Sequence, residues 1–154
     1  MLPSKVSHGG TYAGNRVAAA AATRTLEIIR DTDALATIHA TGERIQAGLR
    51  QLLDAKGLAY NITGHPSMFG IMFTESVASE YRDWANTDHE LYDAIAVGMH
   101  ARGAMPEPDS REPWFICEAH AKGDTVDKVV TIFGQSLDAA LEARARGELS
   151  SAAH

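Results

Sequence analysis

The chain has 154 residues, 45% apolar and 22% charged, with 14 basic against 20 acidic side chains and a formal charge of −6. That length and balance suit one modest globular domain. The acidic surplus, unbroken by any Lys/Arg cluster, argues against nucleic acid and anionic membrane as partners. No stretch approaches the roughly 20 apolar residues of a membrane span. Residues 1–8 lack the basic-then-apolar build of a signal peptide. One cysteine, Cys117, allows no internal disulfide and points to a reducing compartment, the cytoplasm. Within the run Trp114-Phe115-Ile116-Cys117 it reads as a small buried hydrophobe rather than a nucleophile.

In chain order, a glycine-rich opening, His8-Gly9-Gly10-Thr11-Tyr12-Ala13-Gly14-Asn15, runs into an alanine-rich helix. Ala18, Ala22, Leu26 and Ile29 form its apolar stripe. Asp31-Thr32-Asp33 interrupts the pattern and offers a fresh N-cap. The next helix carries Leu35, Ile38, Gly42, Ile45, Leu49 and Leu52 on one face. Gly42 costs about 1 kcal/mol of propensity relative to Ala, a cost that close backbone packing would offset. Gly57 ends this helix in the C-cap position.

The period then changes to two. Residues 58–63 and 68–74 read as strands joined through Gly64-His65-Pro66-Ser67, a hairpin or near-hairpin. Phe69, Ile71 and Phe73 share one face, and Met68, Gly70 and Met72 the other. Neither face is charged, so both are open to being covered. Residues 75–86 show no clear pattern. Thr87 followed by Glu90 reads as a capping box for a helix with Leu91, Ile95 and Met99 inward, stopping at Gly103. Pro106, Pro108 and Pro113 make the next stretch a loop. Residues 114–117 read as a third strand. Asp124 caps a last helix with Val126, Val130, Phe133, Leu137 and Leu141 on one face. The expected architecture is α+β, helices packed on a small, mostly antiparallel sheet. By segment it is a loop leading into a helix over residues 1–16, a small domain over 17–147 and a frayed tail over 148–154.

The opening segment carries the most chemistry. Gly9 and Gly10 let the backbone approach a ligand, Thr11 adds a hydroxyl, and a helix starts at once. Such donors suit an anion such as phosphate. From the residues alone, a glycine-rich helix start with no ligand is the stronger reading. The histidines at 8, 39, 65, 89, 100, 120 and 154 show no i, i+4 pair and no HExxH, so no metal site is expected. Trp84 and Trp114 read as packing residues.

His8-Gly9-Gly10-Thr11-Tyr12-Ala13-Gly14-Asn15 ahead of an alanine-rich helix is similar to the HGGT segment of class-III aminotransferases that use pyridoxal 5′-phosphate (PLP), in the manner of glutamate-1-semialdehyde aminomutase. Further matches keep the family's order: Ala40-Thr41-Gly42-Glu43-Arg44, Gly64 with Phe69 to Phe73, Leu91-Tyr92, Met99 to Gly103, Arg111 to Ile116, then Ala119-His120 and Asp124. The resemblance runs from about residue 5 to about residue 143. It implies the small C-terminal domain of the fold-type I PLP transferases, with amino-group transfer on an amino acid, amino aldehyde or amine. It implies that Gly10 and Thr11 bind the phosphate of PLP held by a neighbouring protomer or a separate large-domain chain, in a homo- or hetero-oligomer. Arg16 stands where the family usually has proline, which loses a preset φ and adds a charge near that phosphate. Glu112 matches a glutamate near the family's active-site mouth, although as a loop carboxylate it reads first as solvated. In the family the Schiff-base lysine lies upstream of the HGGT segment. Lys5, Lys56, Lys122 and Lys128 all read as surface charges, so no residue here is assigned as catalytic. Amino-group transfer is expected only from a complete assembly. The alternative is a non-catalytic interaction or regulatory module, with the stripe from Leu35 to Leu52 facing a partner.

Overall fold

The computed structural model of the chain describes residues 9–149. The expectations for Lys5, His8, His154 and most of the tail lie outside the described residues. Two compact units are present, Met1–Leu35 and Ala36–His154.

In the first unit a run of turns over residues 11–14 leads into helix α1, Arg16–Asp31. Asn15 is the N-cap, and its side-chain oxygen accepts the Ala18 N–H at 3.0 Å. That bond satisfies one of the four N–H groups a helix start leaves without a partner. The helix ends at Thr32, whose hydroxyl donates to the Ile28 carbonyl and accepts from the Ala34 N–H. None of the residues of α1 is buried.

Helix α2, Ala34–Ala55, supplies much of the second unit. Its large buried apolar residues are Ile45, Leu49 and Leu53. The inward stripe therefore follows spacings of four toward Leu53, with Leu52 only partly buried. Leu35, expected on this stripe, is 57% exposed. The helix closes as expected at Gly57, which takes φ +64. Leu58 N–H donates to the Leu53 carbonyl and Gly57 N–H to that of Asp54, the paired bonds of a Schellman motif.

Strands β1, Asn61–His65, and β2, Met68–Met72, form the expected hairpin, in register from Asn61↔Met72 to His65↔Met68. Only Pro66 and Ser67 separate the strands, a tighter turn than the sequence suggested. Phe69, Ile71 and Phe73 are buried, as period two requires. The opposite face is partly open, and Met68 is 47% exposed. Gly42 of α2 faces this hairpin: a Cβ there would lie 1.9 Å from the Pro66 carbonyl oxygen. Only a residue without a side chain lets the two backbones meet so closely.

A four-residue helix α3, Tyr81–Trp84, occupies the stretch that showed no pattern. Helix α4, His89–Ala101, buries Leu91, Tyr92, Ile95, Ala96 and Met99. Its N-cap is Asp88, not Thr87. The Asp88 carboxylate accepts the Leu91 N–H at 3.1 Å and also pairs with Arg144 at 2.7 Å. The Thr87 hydroxyl instead bonds His89 Nδ1 at 3.0 Å. A charged cap that also meets a distant guanidinium outcompetes a neutral hydroxyl, because charge-assisted bonds are the stronger ones. Strand β3 is short, Trp114–Phe115, and pairs antiparallel with β2, giving the order β1-β2-β3.

A 3-10 turn, Glu118–Ala121, precedes helix α5, Thr125–Ala145. Val126, Phe133 and Leu137 of α5 join the core with α2, α4, Phe69, Ile71 and Trp114. Among the described residues, five α-helices and a small antiparallel sheet give the expected α+β class.

Cys117 corrects one expectation: it is exposed. Pairing stops at Phe115, the chain then turns, and Cys117 becomes the N-cap of the 3-10 turn. Its backbone N–H donates to His120 Nδ1 at 2.9 Å. The apolar run was therefore half strand and half cap.

Candidate functional site

The opening loop is two consecutive tight turns. Ala13 N–H donates to the Gly10 carbonyl and Asn15 N–H to that of Tyr12, both at 3.0 Å. Gly10 sits at φ +147 and Gly14 at φ +78, a region in which a side chain is strained. Around Gly9, Gly10 and Gly14 a Cβ would meet nothing within 4 Å among the described residues. The glycines at 10 and 14 thus answer to backbone conformation, and the space beside all three is open. Thr11 is exposed, and among the described residues its hydroxyl makes no hydrogen bond. Arg16, also exposed, is the first residue of α1. The loop therefore presents open main chain, the Thr11 hydroxyl, a helix N-terminus and a cation within a short segment.

The second unit holds a cleft of about 430 Å³. Met99, Ile116, Val129 and Ile132 line it, with Glu107, His120, Thr125 and Lys128 as polar members. One wall is the proline-rich loop after α4, fastened at three points. Tyr92 hydroxyl donates to the Glu107 carbonyl at 2.7 Å, His100 Nε2 bonds the Pro106 carbonyl at 2.8 Å, and Trp84 Nε1 donates to the Ser110 hydroxyl at 2.9 Å. The Tyr92 oxygen also accepts the Trp114 Nε1–H at 2.9 Å. Burial pushes the Tyr92 phenol up to about 12, because the phenolate is disfavoured away from water.

Farther along the same loop, Arg111 grips Asp109 and lies over the Trp84 ring, 4.7 Å from its centre. The guanidinium holds the Asp109 carboxyl down at about 2. Trp84 also stacks with His89, with ring centres 4.0 Å apart. Trp84 and Trp114 are thus packing residues that also donate hydrogen bonds. This anchoring was not legible in the sequence, where nothing links residue 84 to residue 110. Glu112 is exposed at the end of the loop.

Lys122 is exposed, Lys56 pairs with Asp138 at 2.5 Å and Lys128 with Asp124 at 2.8 Å, all at the surface. Among the described residues, no group of three or more His, Cys, Asp and Glu side chains is arranged around a common metal position. No helix among them is long and apolar enough to cross a membrane.

Comparison with known proteins gives this arrangement its context. The class-III aminotransferase family matches residues 2–133. Glutamate-1-semialdehyde 2,1-aminomutase of Thermus thermophilus is 32% identical over 133 residues, covering 86% of this chain and 31% of that protein. The PLP internal aldimine form of the Sphingopyxis sp. MTA144 FumI protein superposes with a TM-score of 0.75 at 27% identity, over 96% of this chain and 32% of that one. A transaminase solved with PLP bound shares the fold, with a TM-score of 0.71 at 20% identity, over 92% of this chain and 32% of that one. The chain belongs to the class-III aminotransferase family. It spans about a third of the length of the curated relatives it matches.

Proposed function

We propose that this chain is the C-terminal portion of a cytoplasmic PLP-dependent aminotransferase or aminomutase, and that Gly10 and Thr11 hold the phosphate of a PLP belonging to a neighbouring protomer or a separate large-domain chain. The observation that carries the reading is the open Gly9-Gly10-Thr11 turn directly ahead of α1. Its residues fit a phosphate dianion. Backbone N–H groups are bare of side chains, the Thr11 hydroxyl is free to donate, and the start of α1 carries the positive end of the helix dipole. Arg16 at the first helical position adds a full charge of the right sign and takes over from a proline that would only preset φ.

PLP, when bound, supplies the electron sink through which an amino group is moved to or from an amino acid, amino aldehyde or amine. The part of this chain is to position it. Donors from the loop fix the phosphate end, which sets where the rest of the cofactor lies. Lys56, Lys122 and Lys128 are solvated and distant in kind from an activated amine, which needs burial or a neighbouring cation. Attachment of the cofactor is therefore assigned to the large-domain polypeptide.

The test is to mix the chain with a matching large-domain polypeptide and follow cofactor absorbance after gel filtration. Thr11→Ala should lower PLP retention by tenfold or more, and Thr11→Ser should restore it. An assembly that forms with Thr11→Ala and keeps PLP as the parent does would refute the phosphate role. A second reading, a non-catalytic interaction module, draws on the absence of buried residues in α1. Under it the same mixture forms a complex whose stability is indifferent to PLP.

A further inference from the structure

We propose that His39 of α2 and His65 at the end of β1 form a two-histidine site for a divalent late transition-metal ion of the Zn²⁺ class, which staples the hairpin to the helix. The two rings lie 4.7 Å apart, centre to centre, at 60° between planes. Two imidazoles that share one ion through N–metal bonds of about 2.0–2.1 Å, at angles between square and tetrahedral, place their centres roughly 4.5–5.2 Å apart. The rings therefore already stand at the separation a shared ion demands.

The framework beneath them is fixed. His39 precedes Gly42 by one helical turn, and His65 adjoins Pro66. Gly42 and the Pro66 carbonyl oxygen are the two groups in backbone contact between helix and hairpin. The histidines thus flank a joint that cannot slide without breaking that contact. His65 Nδ1 is hydrogen-bonded to the Ser67 hydroxyl at 2.9 Å, while the Glu43 carboxylate stands 3.7 Å from His39 Nδ1, an ion-pair distance beyond a hydrogen bond. A hydrogen bond at one ring nitrogen orients the other toward a metal. Neither Nε2 makes a hydrogen bond among the described residues. The His39 side chain is 42% exposed and His65 is exposed, so an ion can enter.

In the free protein the Ser67 N–H donates to His65 Nδ1 at 3.3 Å, which places the proton of the neutral ring on Nε2. On binding, Nε2 loses its proton and gives its lone pair to the metal, Nδ1 gains a proton that it donates to the Ser67 oxygen, and the Ser67 N–H gives up its bond to Nδ1 for water. No net proton is gained or lost by the ring. Two protein ligands leave the remaining coordination positions to water. Imidazole ligands favour Zn²⁺, Ni²⁺ and Cu²⁺ over Mg²⁺ and Ca²⁺.

The experiment is a calorimetric titration of the untagged full chain with ZnCl₂, beside thermal melts with and without the ion. One Zn²⁺ should bind per chain and raise the melting temperature, since a ligand of the native state alone stabilises it. His39→Gln and His65→Gln should each weaken binding at least tenfold and abolish the thermal shift. The double variant should be no worse than either single one. His100→Gln should bind as the parent does, and Mg²⁺ should not compete. Melts without zinc show whether each variant is folded, and any one folded histidine variant suffices to decide. The site is refuted if saturable binding is missing below about 1 mM, or if folded His39→Gln or His65→Gln binds zinc as tightly as the parent. The outcome is independent of whether Gly10 and Thr11 meet a phosphate.

Discussion

Helices α1 and α2 carry similar amphipathic patterns and have opposite fates. Both show apolar residues at spacings of three and four. In α2 three of those residues, Ile45, Leu49 and Leu53, are essentially inaccessible. In α1 none is buried, and Leu26 is 64% exposed. A periodic stripe therefore says that a helix has a face to cover. It does not say which surface covers it. For α2 the cover is in this chain. For α1 the proposed cover is another polypeptide, and the same holds for the loop ahead of it.

Substitutions can break or sharpen that contrast. Phe133→Ala in the core of the second unit should lower stability by about 3–5 kcal/mol in chemical denaturation, through lost transfer energy and the cavity left behind. Gly42→Ala should cost about 2–3 kcal/mol, because the added methyl meets the Pro66 carbonyl and the gain in helix propensity is smaller than that clash. A neutral result there would show that α2 and the hairpin are not in backbone contact.

Tyr92→Phe should cost about 1–2 kcal/mol at neutral pH, since the Trp114 indole and the Glu107 carbonyl lose a shared partner. Its pH dependence has a fixed sign. The phenol is raised to about 12 in the folded chain, so its contribution is complete below pH 10 and is lost as pH rises toward 12. The parent should lose more stability than the variant across that window, and equal alkaline limbs would count against the burial. Smallest of all, Leu26→Ala in α1 should change the stability of the isolated chain by less than about 0.5 kcal/mol. A loss comparable to that of Phe133→Ala would erase the contrast between the two helices.

Much of the fold was legible because its determinants are local. The alternation of Phe69, Ile71 and Phe73 set the hairpin face, and Gly57 and Gly103 marked two helix ends. What escaped was set by partners far along the chain. Asp88 displaces Thr87 as a cap because Arg144 reaches it from 56 residues away. Cys117 is exposed because only two residues of its run find a strand to pair with. The opening loop was legible as a turn from its glycines. The identity of the proposed ligand was not legible in the turn itself, since an open backbone and a hydroxyl suit any small anion.

The proline-rich loop between α4 and β3 has almost no regular structure and yet is tied down by Tyr92, His100 and Trp84. Its prolines also narrow the conformations open to it when unfolded. A spin label or fluorophore placed at exposed Glu112 would therefore tumble with the body of the second unit rather than wag on its own tether. Changes in its signal when a large-domain polypeptide is added would report docking at the loop rather than loop ordering.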